Sequence, residues 1–147
     1  MKTTFETLLA LADYCVNLMK QNEMIDFDIA SRESLLESLA TELAVSFATD
    51  EDIRDQAIEE VEEKMGAGNM PEDIVETEIF NHARKEIIKS FSGENIGGLY
   101  LVESLHNSAK RINSFMLNSD LIDDVFGTDD EILEFLVKKL RSFKRQQ

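Results

Sequence analysis

Apolar residues recur at steps of three and four along nearly the whole chain, and alternating runs long enough for a strand are almost absent. That period belongs to amphipathic helices, and it predicts six of them. The first runs from about Thr4 to Asn22, opened by a Thr3-x-x-Glu6 capping box, with Phe5, Leu8, Leu9, Ala12, Cys15, Val16 and Met19 as its inward stripe. After a short extended connector, Met24-Ile25-Asp26-Phe27, Ser31 can cap a second helix that turns Leu35, Leu36, Leu39, Leu43 and Phe47 inward until Thr49-Asp50 interrupts it. The third helix buries Ile53, Ala57, Ile58, Val61 and Met65 and stops at Gly66-Ala67-Gly68. Pro71 suits the first turn of a fourth, whose stripe is Ile74, Val75, Ile79, Ala83, Ile87 and Phe91 and whose end is Gly93. Residues 92–98 form the one loop with several glycines, a hinge or turn. A fifth helix is expected from Leu99 to Leu117 on Leu101, Val102, Leu105, Ala109, Ile112 and Met116. Thr128-x-x-Glu131 then opens a sixth that buries Ile132, Leu133, Leu136, Leu140 and Phe143.

The chain also repeats itself. Residues 5–43 laid on 102–140 without a gap, at a constant offset of 97, give ten identical pairs in 39, among them Leu8/Leu105, Met19/Met116, Ile25/Ile122, Asp26/Asp123, Leu39/Leu136 and Leu43/Leu140. Chance in a similar composition gives about two to four. Two Leu-rich amphipathic hairpins without common descent are the alternative. If the repeat is real, the first two helices correspond to the last two, with an acidic pair between them. The expected fold is therefore an all-α, single-domain bundle of about six helices over residues 1–147, made of a hairpin (1–48), an acidic helix pair (49–92) and a second hairpin with a basic end (99–147).

A helix, an Ile25-Asp26 turn, a Ser31-capped helix, an acidic helix, and Asn69-Met70-Pro71-Glu72 ahead of another acidic helix resemble, over residues 8–90, the unit of an uncharacterised bacterial family of acidic, duplicated helical proteins. The second unit here departs from that pattern by ending without its own acidic pair. The family has no assigned activity, so no functional residue carries over.

Composition narrows the function classes. At 147 residues the chain is long enough for one real core, and 43% hydrophobic content with nine Phe separates it from an acidic disordered tail. No apolar run reaches about 18 residues, and the amphipathic N-terminal helix with Glu6 and Asp13 is unlike a signal peptide, so a cytoplasmic protein without membrane association is expected. Thirty acids against 15 bases set a formal net charge of −15, which repels polyanions and argues against direct nucleic-acid binding by the main body.

Candidate chemistry is thin. The single Cys15 lies among Leu, Ala and Val and reads as a small buried hydrophobe. An EF-hand loop begun at Asp120 fails, because Ile122 and Val125 stand where a ligand and the obligatory glycine belong. Glu103-Ser104-Leu105-His106 has the Glu-x-x-His spacing of di-iron bundles, which on a helix would put both side chains on one face. It lacks a second copy: Glu78 and His82 are four apart, and the repeat mate of Glu103, Glu6, has Leu9 in place of a histidine. Gly93, Gly97 and Gly98 form no phosphate loop, and Tyr14 and Tyr100 read as core-edge aromatics with solvated hydroxyls. A non-enzyme with no catalytic residue, metal or cofactor is the expectation, and a metal-dependent bundle enzyme on Glu103 and His106 the third choice.

Charge carries the remaining signal. Residues 50–86 hold thirteen acids against four bases, a local net of −9. Asp52, Asp55, Glu59, Glu62 and Glu63 follow helical steps and line one solvent face, and Glu72, Asp73 and Glu76 continue the acidity. These eight residues are the candidate partner-binding set, for docking on a basic surface of a protein, with mimicry of a nucleic acid toward a DNA- or RNA-handling partner as the sharper form. Ordinary solubility is the competing reading. An oligomeric scaffold that uses the repeat's apolar faces as its interface is the alternative function. The last ten residues reverse the sign with Lys138, Lys139, Arg141, Lys144 and Arg145, suited to the negative end of the last helix.

Overall fold

A computed structural model describes residues 4–65, 76–90 and 95–143, and it is an all-α bundle with six α-helices and two small antiparallel sheets among those residues. The first hairpin consists of α1 (Phe5–Gln21), β1 (Ile25–Asp26), a 3-10 turn (Ile29–Ser31) and α2 (Arg32–Leu43). The expected Thr3 cap lies outside the described residues; Thr4 takes the N-cap position and its hydroxyl makes no capping bond. Helix α1 ends in a Schellman turn, with the Met24 N–H donating to the Met19 carbonyl at 2.8 Å and the Glu23 N–H to that of Lys20 at 3.1 Å. Glu23 adopts φ +57° to make that turn. Ser31 stands at the N-cap of α2 without a side-chain cap bond, because the chain enters through the 3-10 turn, where Asp28 Oδ1 accepts from the Ala30 N–H at 3.0 Å.

The second hairpin is α5 (Leu105–Asn118), β5 (Asp124–Val125) and α6 (Asp129–Arg141). Ser104 Oγ caps α5 by accepting from the Asn107 N–H at 3.1 Å, and Thr128 Oγ1 caps α6 from the Glu131 N–H at 3.2 Å, the latter as its sequence predicts. Moving Arg32–Leu43 along by 97 lands on 129–140, the body of α6, and moving Gln21 lands on Asn118, the end of α5. The connectors pair with each other: β1 and β5 are antiparallel, with Ile25 opposite Val125 and Asp26 opposite Asp124. The two hairpins thus meet through the corresponding connectors of the repeat. The residues of one ion pair have repeat mates of exchanged charge, and a different contact takes the pair's place there. Arg32 bonds Asp13 in the first hairpin, while their mates are Asp129 and Lys110, and there Asn113 Nδ2 donates to Asp129 at 3.1 Å.

The four hairpin helices turn their stripes on one another. Leu11, Leu35, Leu39, Leu43, Ile112 and Leu140 are fully enclosed, and Leu105, Ile132, Leu136 and Phe143 are buried in the same main core. Phe5 and Val102, expected in the stripes, are instead 44% exposed, since each precedes or only begins its helix. The Tyr14 hydroxyl, expected in solvent, donates to the Lys139 carbonyl at 2.9 Å, and its ring meets Phe143 at 5.2 Å.

The middle of the chain departs most from its periodicity. Helix α2 stops at Leu43, and Phe47 enters the core from a strand, β2 (Phe47–Ala48). Leu99–Leu101, expected as the first turn of the fifth helix, is β4, which pairs with β2 on one side and with β3 (Asn95–Ile96) on the other. Gly97 and Gly98 make the two-residue turn between Ile96 and Leu99 with φ +57° and +95°, the type I′ geometry that rewards glycine at both places. Between β2 and β3 lie α3 (Asp50–Met65) and α4 (Glu76–Lys89), which share a smaller core of Ala48, Ile53, Ala57, Val61, Ala83 and Ile87. Ile58, expected inward, is 37% exposed on the flank of α3. The expected stops at Gly66–Gly68 and Gly93 and the Pro71 start, with Ile74, Val75 and Phe91, lie outside the described residues. Among the described residues no helix is long and apolar enough to cross a membrane.

Candidate functional site

Helix α3 carries eight acids against two bases in its sixteen residues. Its start is a reciprocal capping box: the Asp52 N–H donates to Thr49 Oγ1 at 3.1 Å, and the Thr49 N–H donates to Asp52 Oδ2 at 3.0 Å. Asp50, Glu51 and Asp52 all sit in the first turn, where the helix dipole favours negative charge. Asp50 also receives Arg84 Nη2 of α4 at 3.2 Å, which ties the two helices together at that end. Asp52 therefore serves the fold as well as the surface.

Asp55, Glu59, Glu62 and Glu63 are all exposed. At about 100° per residue they fall within an arc of about 100°, opposite the buried stripe of Ile53, Ala57 and Val61. With a rise of about 1.5 Å per residue, these four carboxylates span about 12 Å, one per about 4 Å, close to the ~3.4 Å axial spacing of phosphates along one strand of duplex DNA. Of the remaining candidates, Glu72 and Asp73 lie outside the described residues, and Glu76 begins α4 with its side chain outside them.

The strongest polar constellation is elsewhere, and sequence reading missed it. Arg111 on α5 donates from Nε to Glu103 Oε1 at 2.9 Å and to Ser46 Oγ at 3.1 Å, and its two terminal nitrogens reach Glu42 Oε1 and Glu103 Oε2 at 3.3 Å. Ser46 is fully buried and its hydroxyl also donates to Glu103. The hydrogen bond from Arg111 holds the Glu103 carboxyl below the usual range, aided by Ser46 against the opposing effect of burial. The cluster joins the end of α2 to the start of α5 and borders a shallow groove of about 850 Å³ between these helices, which Lys110, Asn107 and Ser114 also line. Since Ser46 and Arg111 are 65 residues apart, no local spacing announces the cluster.

Glu103 precedes the N-cap Ser104 and is not helical, so the Glu-x-x-His spacing does not put it on one helix face with His106. Glu103 is committed to Arg111, while His106 lines a separate groove along α6 with Asp130 and Glu134. No group of three or more metal-ligating side chains occurs among the described residues. The Asp120 to Glu131 stretch folds as β5 and the cap of α6. Cys15 is wholly buried, which pushes its thiol up to about 12 and keeps it protonated at neutral pH. The repeat's apolar faces, the interface of the scaffold alternative, are spent on each other inside the main core. No protein family matches this chain, and no curated protein or solved structure matches it.

Proposed function

We propose that the protein is a non-catalytic interaction protein that docks the carboxylate row of α3 on a basic surface of a partner, in its sharper form the nucleic-acid groove of a DNA- or RNA-handling protein. The row itself carries the reading: Asp55, Glu59, Glu62 and Glu63 stand exposed together on one helix face, at an axial spacing near that of a phosphate strand. Like charges at three- and four-residue steps each cost a few tenths of a kcal/mol, a repulsion that a cationic partner would relieve. Such a partner would be steered by the field of a chain with net charge −15. Asp52, Glu72, Asp73 and Glu76 extend the proposed set. A cytoplasmic setting fits the reduced, buried Cys15.

The test is competition. A nucleic-acid-handling protein retained on the immobilised chain should be released by duplex DNA at a salt concentration where neutral dextran has no effect. Combined Glu59→Lys, Glu62→Lys and Glu63→Lys should abolish retention while the far-ultraviolet circular dichroism stays unchanged. Retention that survives this charge reversal would remove the assignment.

A further inference from the structure

The β1–β5 ribbon closes one end of the main bundle, and its inward and outward positions differ sharply. Ile25 is buried and Val125 packs against the core, while Asp26 and Asp124, which oppose each other in the register, are exposed. Two acids directly opposite are unfavourable in a sheet, and Lys20 answers only one of them, bonding Asp26 at 2.8 Å. Phe126, two residues beyond Asp124, lies on the same outward side, held there by its N–H donating to the Met24 carbonyl at 2.7 Å.

Phe126 is 50% exposed, and Ile29, just past the other end of the ribbon, is 79% exposed. These are repeat mates at the offset of 97. Each stands two residues before the N-cap of its hairpin's second helix, Ser31 or Thr128. An exposed large apolar side chain thus occurs at the same place in both of the paired connectors, with exposed acids beside each. Residues 117–131 alone hold six acids and no base.

We infer that this end of the bundle is a docking surface for a basic amphipathic segment of another protein, with Ile29 and Phe126 as apolar contacts and Asp26, Asp28, Asp123 and Asp124 as the anionic bed. Charge complementarity selects this occupant. A second copy presenting the same end would set acids against acids between two chains of net charge −15, and an anionic lipid surface or nucleic acid meets the same repulsion. The surface is separate from α3, and the inference stands whether or not the carboxylate row binds a partner.

The probe is a synthetic peptide of Leu-Lys-Lys-Leu repeats, compared with an oligolysine of equal charge, by titration calorimetry with the full chain at about 0.15 M salt. The amphipathic peptide should bind at least about tenfold tighter, ~1.4 kcal/mol, and shift amide resonances of residues 24–29 and 123–126. The double variant Ile29→Ser, Phe126→Ser should lose that advantage but keep its affinity for oligolysine, with only a small change in melting temperature because neither side chain belongs to a core. Combined Asp123→Asn and Asp124→Asn should weaken both peptides, and the α3 charge reversal should leave the advantage intact. Equal binding of the two peptides, or an advantage that survives the serine variant, would overturn the inference. Concentration-dependent self-association abolished by the serine variant would overturn it too, assigning the surface to a second copy.

Discussion

The main bundle and the α3–α4 pair are both helix on helix, yet they are stabilised unequally. Among the described residues the main core encloses twenty-four apolar side chains, dominated by Leu, Ile, Phe and Met, whereas the α3–α4 core encloses six, of which Ala48, Ala57 and Ala83 are alanines. Alanine brings little apolar area, so the second core contributes a much smaller share of the burial energy at ~25 cal/mol per Å². The same helices carry the densest like charge. One chain thus separates a repeat-built body that supplies stability from a lightly packed pair that displays charge, and local opening should begin in the pair.

Truncation within the body tests that inequality hardest. Leu39→Ala, at a site with no exposure, should cost about 2–5 kcal/mol and lower the urea midpoint of the whole chain in one transition. The pair should answer differently. Ile53→Ala should cost about 2 kcal/mol, and hydrogen exchange should show protection lost in α3 and α4 while amides of α1, α2, α5 and α6 keep theirs. Equal loss across both regions would break the comparison.

Arg111 holds the body together at the edge where the chain leaves for the pair and returns. Arg111→Leu should cost about 1–2 kcal/mol at pH 7, because it leaves Glu103, Glu42 and the buried Ser46 without their shared donor. The pH dependence follows from Glu103. Its folded pKa is lowered from an unfolded value near 4.3, so its stabilisation is fully present above about pH 4.3 and is lost as pH falls through the lower folded value. Urea titrations at pH 7 and pH 3 should therefore converge more closely for Arg111→Leu than for the parent chain. The smallest effect should be a gain. Glu23→Gly removes a side chain from a left-handed position in the α1 Schellman turn and should add up to about 1 kcal/mol, raising the melting temperature by about 2–4 °C.

How much of this was legible in the sequence varies with range. The Thr128-x-x-Glu131 box, the α1 and α6 stripes and the correspondence of α2 with α6 follow from spacing within a few turns, or from comparing the chain with itself. The Gly97-Gly98 turn was legible as a turn, since both glycines answer a local backbone demand. Its flanking strands were not. Leu99-Tyr100-Leu101 is too short to establish a period, and only Phe47–Ala48, some fifty residues away, supplies the edge that makes it a strand. The exposure of Asp55, Glu59, Glu62 and Glu63 could be read from the α3 pattern, but the capping duty of Asp52 was obscured by its membership in the same acidic run.

By itself, the sequence determined that the chain is mostly helical, where the apolar stripes of α1 and α6 run, that two hairpins share one plan, and that the molecule is strongly anionic. These properties depend on side chains within a few turns of one another or on composition alone. The tertiary structure decided that the two connectors pair into an antiparallel ribbon. It also decided that Glu103 belongs to Arg111 and Ser46 and not with His106, and that Tyr14 bonds a carbonyl of α6. Each of those outcomes joins residues far apart in the chain, and a hydrogen bond or a strand register acts only once packing of the apolar faces has brought its two partners within about 3 Å.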